Sequence, residues 1–240
     1  MLVACQTASE RQELTIAAAA SLNTTFSEIG DAFTKESGIP VTFSFAATGT
    51  LSEQIRNGAP FDIFAAADTA HITNLFVEGY IIPESRAVFA HGLVSLVIAP
   101  DSGLQLKSLN DLKNIAVERF TIANPKIAPY GAAAQTIVEN AGLWTQIEEH
   151  LVFGESVRQS LQYIDSGEIP AGIIPNSLLL DSPLIIIPID SALYDPVEHG
   201  IGIIADSHHT AEAEQFLNFL FSPQGQAILA NHGLIPVADP

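Results

Sequence analysis

Short apolar runs alternate with amphipathic segments along most of the chain. Residues 14–20 and 61–67 are almost entirely apolar, as is typical of buried strands, and a helical pattern follows each of them. After the first run, apolar residues recur at helical spacing as Phe26, Ile29 and Phe33. Further strands are predicted at residues 41–46, 93–98, 115–123, 171–174, 184–189 and 198–205, and further helices at 71–78, 132–140, 157–164 and 211–221. This alternation predicts βαβ units in an α/β protein with mostly parallel sheets.

Four junctions combine the end of a strand-like run, small, hydroxyl or glycine residues, and the start of a helix. They lie at residues 17–21, 46–50, 124–131 and 154–157. The first turn of a helix carries backbone N–H groups without intrahelical partners, and the helix dipole adds partial positive charge there. If the four junctions converge, they form a site for a small oxyanion that needs no lysine or arginine.

The same residues also have simpler interpretations. Ser21, Thr48 and Thr50 stand where a side-chain oxygen can cap a helix, and Thr50 begins a capping-box pattern. Tyr130, taken alone, is more typical of a half-buried packing residue. The side chain of Val157 belongs to a core, so only its backbone amide is a candidate for binding.

Charge and composition narrow the possible partners. The chain has 240 residues, of which 48% are hydrophobic, and is long enough for one large domain or two modest ones. Its net charge is −18, from 27 acidic and 9 basic side chains. We therefore expect no nucleic-acid partner, because neutralising phosphates requires clustered basic residues. No apolar stretch is long enough to span a membrane.

The single cysteine, Cys5, ends the tetrapeptide LVAC. One cysteine excludes an intrachain disulfide and a multi-cysteine metal site. The tetrapeptide resembles the lipobox of bacterial lipoproteins, in which the cysteine is lipidated. We therefore expect an extracytoplasmic protein anchored through Cys5, with residues 1–12 as a tether. A flexible tail with a chance match is the alternative.

Five short motifs follow one another along the chain. They are AAAASL at residues 17–22, SFAATGTL at 44–51, GAPFDIF with AAD at 58–68, NP and PYG within 124–131, and VR with GII within 157–174. Together they resemble the motifs of periplasmic molybdate- and tungstate-binding proteins. A single motif of this length is weak, whereas five in the right order identify the chain as a member of this family.

The resemblance implies the substrate-binding component of an ABC importer, with two α/β lobes that close by a hinge around a ligand cleft. It implies that molybdate or tungstate is held as an intact oxyanion, with no protein ligand on the metal itself. Matched position by position, Ser21 and Thr48 supply hydroxyl donors, and Tyr130 and Val157 supply backbone N–H groups. We also expect a membrane permease as the partner, a monomer, no cofactor and no enzymatic activity.

One position departs from the family pattern. Where many relatives have a tyrosine hydroxyl, this chain has Pro175, which carries no donor. Two groups are candidates to replace it: the phenol of Tyr130, which stands where many relatives have alanine, and the side chain of Asn176. The loss of a fixed donor bears on both affinity and selectivity.

No linker rich in proline or glycine divides the chain, so two domains would exchange the chain within strands, near residues 91–95 and 197–202. The expected domains are residues 13–92 with 200–240 as a discontinuous first lobe and residues 93–199 as the second lobe, after the tether.

Competing functions lack their motifs. No G-x-S-x-G elbow, Walker-A loop or G-x-G-x-x-G fingerprint occurs, so hydrolysis and nucleotide binding have no support. A receptor of the same fold for sulfate, phosphate or a small organic anion is the alternative. A pocket of donors suits a fully deprotonated dianion, because the O–H of protonated phosphate would be left without an acceptor. Sulfate has no such proton and differs only in size.

Overall fold

Two β-sheets flanked by helices form the computed structural model, which describes residues 13–114 and 117–237. The strands are β1 Leu14–Ala19, β2 Val41–Ala46, β3 Ile63–Ala66, β4 Ala87–Gly92, β5 Val94–Ile98, β6 Phe120–Ala123, β7 Leu151–Gly154, β8 Ala171–Pro175, β9 Ile185–Pro188, β10 Val197–Ile203 and β11 Leu234–Pro236. The first sheet has the order β11-β4-β10-β3-β1-β2, and the second has the order β7-β6-β8-β5-β9. The predicted α/β class with two sheets is confirmed.

Helices pack on both sheets, and local sequence sets several of their ends. The first helix ends at Gly38, whose φ of 76° suits glycine. Asp68 caps the third by accepting a hydrogen bond from the His71 N–H at 2.8 Å. The helices are α1 Asn23–Ser37, α2 Thr48–Arg56, α3 Thr69–Val77, α4 Pro129–Asn140, α5 Trp144–Ile147, α6 Val157–Asp165, α7 Thr210–Leu220 and α8 Pro223–Asn231.

Each sheet is mixed rather than mostly parallel. In the first sheet β1 runs parallel to β2 and β3, whereas β10 runs antiparallel to β3 and β4. In the second sheet β6 runs parallel to β7 and β8, whereas β5 runs antiparallel to β8 and β9. The parallel strands belong to the predicted βαβ units. The antiparallel ones include the strands that carry the chain between the sheets, and local periodicity holds no information on their direction.

Some elements differ from the predicted pattern. The sequence pattern missed β4, β11, α5 and α8, and α4 begins at Pro129, ahead of the expected position 132. Proline is favoured at the first position of a helix, where its missing N–H costs nothing. Residues 115 and 116 of the strand predicted at 115–123 lie outside the described residues, as do Cys5 and the tether.

We use the word lobe for each sheet together with the helices that pack on it. The chain leaves the first sheet after Gly92 and enters the second at Val94, and it returns between Pro188 and Val197. All of β10 pairs within the first sheet, so residues 197–199 lie there and not with the second lobe as expected. The domain boundaries as such stay a prediction.

An aromatic cluster fills the core of the first lobe. Phe26 of α1 packs on Phe89 of β4 and Phe216 of α7, with ring centroids 5.6 and 6.2 Å apart. The predicted apolar stripe of α1, which includes Ile29 and Phe33, is buried against this cluster. Among residues 13–114 and 117–237, we find no helix with the length and apolar character needed to cross a membrane.

Candidate anion-binding site

The four strand-to-helix junctions meet at one small cavity between the lobes. We call it the anion cavity; the volume that it leaves to the centre of a water molecule is about 10 Å³. Its lining consists of Ala19, Ala20, Ser21, Ala47, Thr48, Ala67, Ala128, Pro129, Tyr130 and Val157. Four of the five predicted ligand-binding residues therefore lie together, although residues far apart in sequence supply them.

Ser21 presents a buried hydroxyl without a partner. It lies in a 3-10 turn, Ala20–Leu22, between β1 and α1, and only 1% of its surface is exposed. Among the described residues its Oγ has no hydrogen-bond partner. The expectation that Ser21 caps α1 is wrong, because Leu22 holds that position. A buried polar group without a partner costs about 1–3 kcal/mol. An anion that accepted a hydrogen bond from the Ser21 hydroxyl would remove this cost.

Thr48 is the first residue of α2 and is also buried. Its Oγ1 accepts a hydrogen bond from the Ala67 N–H at 3.0 Å. Because this bond uses an oxygen lone pair, the hydroxyl proton stays available for another acceptor. Neither Thr48 nor Thr50 caps the helix: Ala47 holds the capping position and Thr50 lies inside α2.

The second lobe contributes backbone N–H groups. Val157 is the first residue of α6, and Tyr130 is the second residue of α4, behind Pro129. N–H groups at these positions have no partner within their helix. The Ser156 hydroxyl caps α6 by accepting from the Gln159 N–H at 3.3 Å, which leaves the Val157 N–H for a ligand. The helix dipoles add partial positive charge at both places.

The lining as a whole offers donors and small apolar groups. Five of its residues are alanine and one is proline, and none of the described lining residues carries a charge. In a chain with a net charge of −18, attraction for an anion at this point must come from local N–H groups, hydroxyls and helix dipoles. The arrangement suits a small anion that brings acceptors and no proton of its own.

The lobes touch directly beside the cavity. The Gly49 N–H of α2 donates to the Ile127 carbonyl oxygen, in the loop after β6, at 2.9 Å. A Cβ atom at position 49 would lie 3.0 Å from that oxygen. The absence of a side chain at Gly49 therefore allows this close approach of the two lobes.

Asn176 does not line the cavity. Its Oδ1 accepts from the Ser95 hydroxyl at 2.8 Å, and its backbone N–H donates to the Leu93 carbonyl at 2.9 Å. The next residue reaches the site indirectly, because the Ser177 hydroxyl donates to the Ser21 carbonyl at 2.7 Å. The corner after Pro175 thus holds the turn that presents Ser21 and supplies no side chain to the cavity itself.

The phenol of Tyr130 also points elsewhere. Its Oη lies 3.4 Å from Nε2 of His199 and close to Gly92, and neither of these residues lines the cavity. Burial, with a smaller contribution from Tyr194, raises the pKa of Tyr130 far above its usual range, so the phenol is neutral. The structure therefore brings only the main chain of Tyr130, and not its hydroxyl, to the anion cavity.

Sequence reasoning missed two residues near the site, Ser177 and His199. Ser177 stands two residues after the family's tyrosine position, and His199 is one of seven histidines. The sequence around each residue gives no indication of its role. Metal-ligating side chains give no rival site: the described part of the chain has no group of three or more that could hold an ion.

The two-lobed fold and the cavity between its lobes define a solute-binding protein. The family model described as bacterial extracellular solute-binding protein matches residues 14–235, and the chain belongs to that family.

Individual relatives have names that are more specific than the description of the family. The chain is 32% identical to a molybdate-binding protein ModA of Rhodobacter capsulatus, over 93% of this chain and 88% of the relative. It is 28% identical to a putative ABC transporter substrate-binding lipoprotein, YvgL, of Bacillus subtilis, over 92% and 85% of the two chains. The structure resembles a periplasmic molybdate-binding protein of Azotobacter vinelandii with a TM-score of 0.87 at 28% identity, covering 93% of this chain and 99% of that one.

Proposed function

We propose that this chain is the extracytoplasmic receptor of an ABC importer and that it binds molybdate or tungstate in the anion cavity. One observation carries the proposal: hydroxyls and free helix N-termini from both lobes converge on a small cavity without a charged side chain. The named relatives support the choice of ligand, and the family supports a role in binding rather than in catalysis.

The donors contribute much of the binding energy. A hydrogen bond to a charged group contributes about 1.5–3 kcal/mol net. Two hydroxyls, from Ser21 and Thr48, and N–H groups at helix starts, including those of Tyr130 and Val157, form the donor set. Their sum supports tight binding after the costs of desolvation and lobe closure.

The same set explains selectivity against protonated anions. Molybdate and tungstate are fully deprotonated dianions at neutral pH, so every oxygen can accept a hydrogen bond. Protonated phosphate would bury an O–H without an acceptor, which costs about 1–3 kcal/mol. Sulfate has no such proton, so only the size of the cavity separates it from the larger oxyanions.

The cellular setting follows from the same function. The receptor hands its anion to a membrane permease, acts as a monomer, and is held at the membrane by acylation of Cys5. A lipoprotein relative and the lipobox-like tetrapeptide support the anchor. Mass spectrometry of the protein purified from its native membrane tests whether Cys5 is acylated. A single acyl chain gives only marginal attachment, so stable attachment needs a full diacylglyceryl group or a second signal.

Calorimetric titration of the dialysed protein with molybdate, tungstate, sulfate and phosphate tests the ligand. We expect sub-micromolar Kd values for the first two and little heat from the others. The double variant S21A/T48A should lose binding while it keeps its fold. Thr50→Ala is the matched control, because Thr50 is exposed and lies in the same helix as Thr48. Normal binding by the double variant would refute the site, and heat from another anion alone would refute the ligand.

A further inference from the structure

Tyr130 contacts two different parts of the molecule. Its main chain lies at the start of α4 in the lining of the anion cavity. Its side chain leaves the second lobe and packs on β4 and β10 of the first sheet, beside the places where the chain crosses between the lobes. A single residue therefore joins a binding group of one lobe to the crossing strands of the other.

The contact with the first sheet is close and buried. Oη of Tyr130 lies 3.4 Å from Nε2 of His199, and the two ring centroids are 5.6 Å apart. His199 has no exposed surface and packs on its other side against Phe89, with centroids 5.7 Å apart. The Tyr130 ring is thus held between the lobes by a well-packed partner.

Gly92 makes room for this contact. A Cβ atom at position 92 would lie 1.7 Å from Oη of Tyr130 and 2.8 Å from Cε1 of His199. Any side chain there would displace the phenol or prevent the lobes from meeting. The last residue of β4 is therefore fitted to the tyrosine of the opposite lobe.

We propose that Tyr130 is a positioning residue, whose side chain, held between Gly92 and His199, fixes its own backbone N–H in the anion cavity and stabilises the closed lobes. The inference rests on the proposed function for the identity of the anion, but the contact between lobes does not depend on it. Tyr130 thereby acts in place of the missing hydroxyl at Pro175 without touching the ligand through its phenol.

His199 is neutral in this contact at neutral pH. Burial lowers the pKa of His199 to about 4, although the backbone at Val197 and Ala90 favours the charged form; the smaller effects of His91 and Asp68 oppose each other.

The test compares the wild type with Y130F and with Tyr163→Phe. The control removes a hydroxyl from a partly buried tyrosine of α6 that does not line the cavity. We expect Y130F to raise the Kd for molybdate about three- to tenfold, the effect of one neutral hydrogen bond. Amide exchange of Gly49, measured by NMR, reports the contact between lobes directly and should be faster in Y130F. The control should leave both quantities unchanged.

Amide exchange of Gly49 separates positioning from packing, because it reports the contact between the lobes and not the stability of the whole fold. If Y130F keeps the wild-type Kd and the wild-type exchange of Gly49, the proposal is wrong, even when the melting temperature of the anion-free protein falls.

Failure of the proposed function has a different signature. A wild type that binds neither molybdate nor tungstate refutes that function. Faster exchange of Gly49 in Y130F than in the wild type still supports the coupling between lobes, because this measurement needs no anion.

Discussion

The two halves of the anion cavity present different groups to a ligand. The first lobe offers the hydroxyls of Ser21 and Thr48, which substitution to alanine deletes. The second lobe offers the backbone N–H groups of Tyr130 and Val157, which no ordinary substitution removes. Side chains therefore carry the chemistry of one half, and the positions of two helix starts carry that of the other. Substitutions in the first half should weaken binding by deleting a hydroxyl donor. Substitutions in the second half should weaken it mainly by displacing a backbone N–H donor.

One substitution can break this rule, because proline deletes a backbone N–H. Val157 is the first residue of α6, where proline is well tolerated, and Ser156 before it has the extended backbone, φ −151° and ψ 165°, that proline requires. V157P should raise the Kd for molybdate about 10- to 100-fold, the effect of one hydrogen bond to a charged group. Calorimetry measures it, and V157A controls for the lost side chain. Equal Kd values for V157P and V157A would show that this amide does not bind the anion.

The first half depends on the second through a hydrogen bond. Removing the Ser177 hydroxyl leaves the buried carbonyl of Ser21 without its donor at 2.7 Å. S177A should weaken molybdate binding about tenfold and lower the melting temperature, because the turn that carries Ser21 is no longer fixed. Ser166→Ala, at an exposed position after α6, is the control. A lower melting temperature with unchanged affinity would limit Ser177 to a structural role.

A buried histidine of the first lobe makes stability depend on pH. His199 is neutral in the folded protein, with its pKa lowered to about 4, whereas in the unfolded chain it titrates near 6.5. The unfolded chain therefore binds more protons as the pH falls, and the folded protein loses stability between pH 6.5 and 4. Between pH 7.5 and 6 the free energy of unfolding should fall by about 1 kcal/mol. Urea titrations measure this slope, which H199Q should abolish; the same slope in H199Q would assign it to other groups.

Substitution of Gly49 should affect closure of the lobes and stability of the fold differently. Alanine favours the helical state over glycine by about 1 kcal/mol at interior positions and by less in the first turn, where Gly49 lies, so G49A should melt at nearly the same temperature. Its Cβ would lie 3.0 Å from the Ile127 carbonyl oxygen, however, which hinders the contact between the lobes. We expect about a threefold rise in the Kd for molybdate, measured by calorimetry. Tighter binding by G49A would show that this contact does not limit closure.

The local pattern predicted the parts of the fold that are local in origin. Residues 14–20 were predicted as a strand, and β1 spans Leu14–Ala19; the pattern also located α1 with its end before Gly38. It did not predict β4 or β11, since strands that pair across long distances need no strong periodicity of their own. For the same reason the sequence did not show that both sheets are mixed.

The residues of the candidate site also divide into those that local sequence predicts and those that it does not. Ser21, Thr48, Tyr130 and Val157 were found because each follows a strand at a helix start, which is a local property. Asn176 was a candidate by its place in the chain alone, and in the fold its amide oxygen is taken by Ser95. The direction in which the Tyr130 phenol points depends on Gly92 and His199, so only tertiary structure could give it. The roles of these residues in binding stay predictions until a ligand is measured.

The alanines of the cavity wall have a thermodynamic consequence. An alanine side chain has no rotamers to lose, so five of the lining residues become no more ordered when an anion enters. Binding sites built from lysine or arginine immobilise long, mobile side chains, each at about 0.5–1.5 kcal/mol. In the proposed binding mode, the entropic penalty of capture therefore falls mainly on closure of the two lobes. The rate of release should therefore follow the motion of the hinge and hardly at all the rearrangement of the wall.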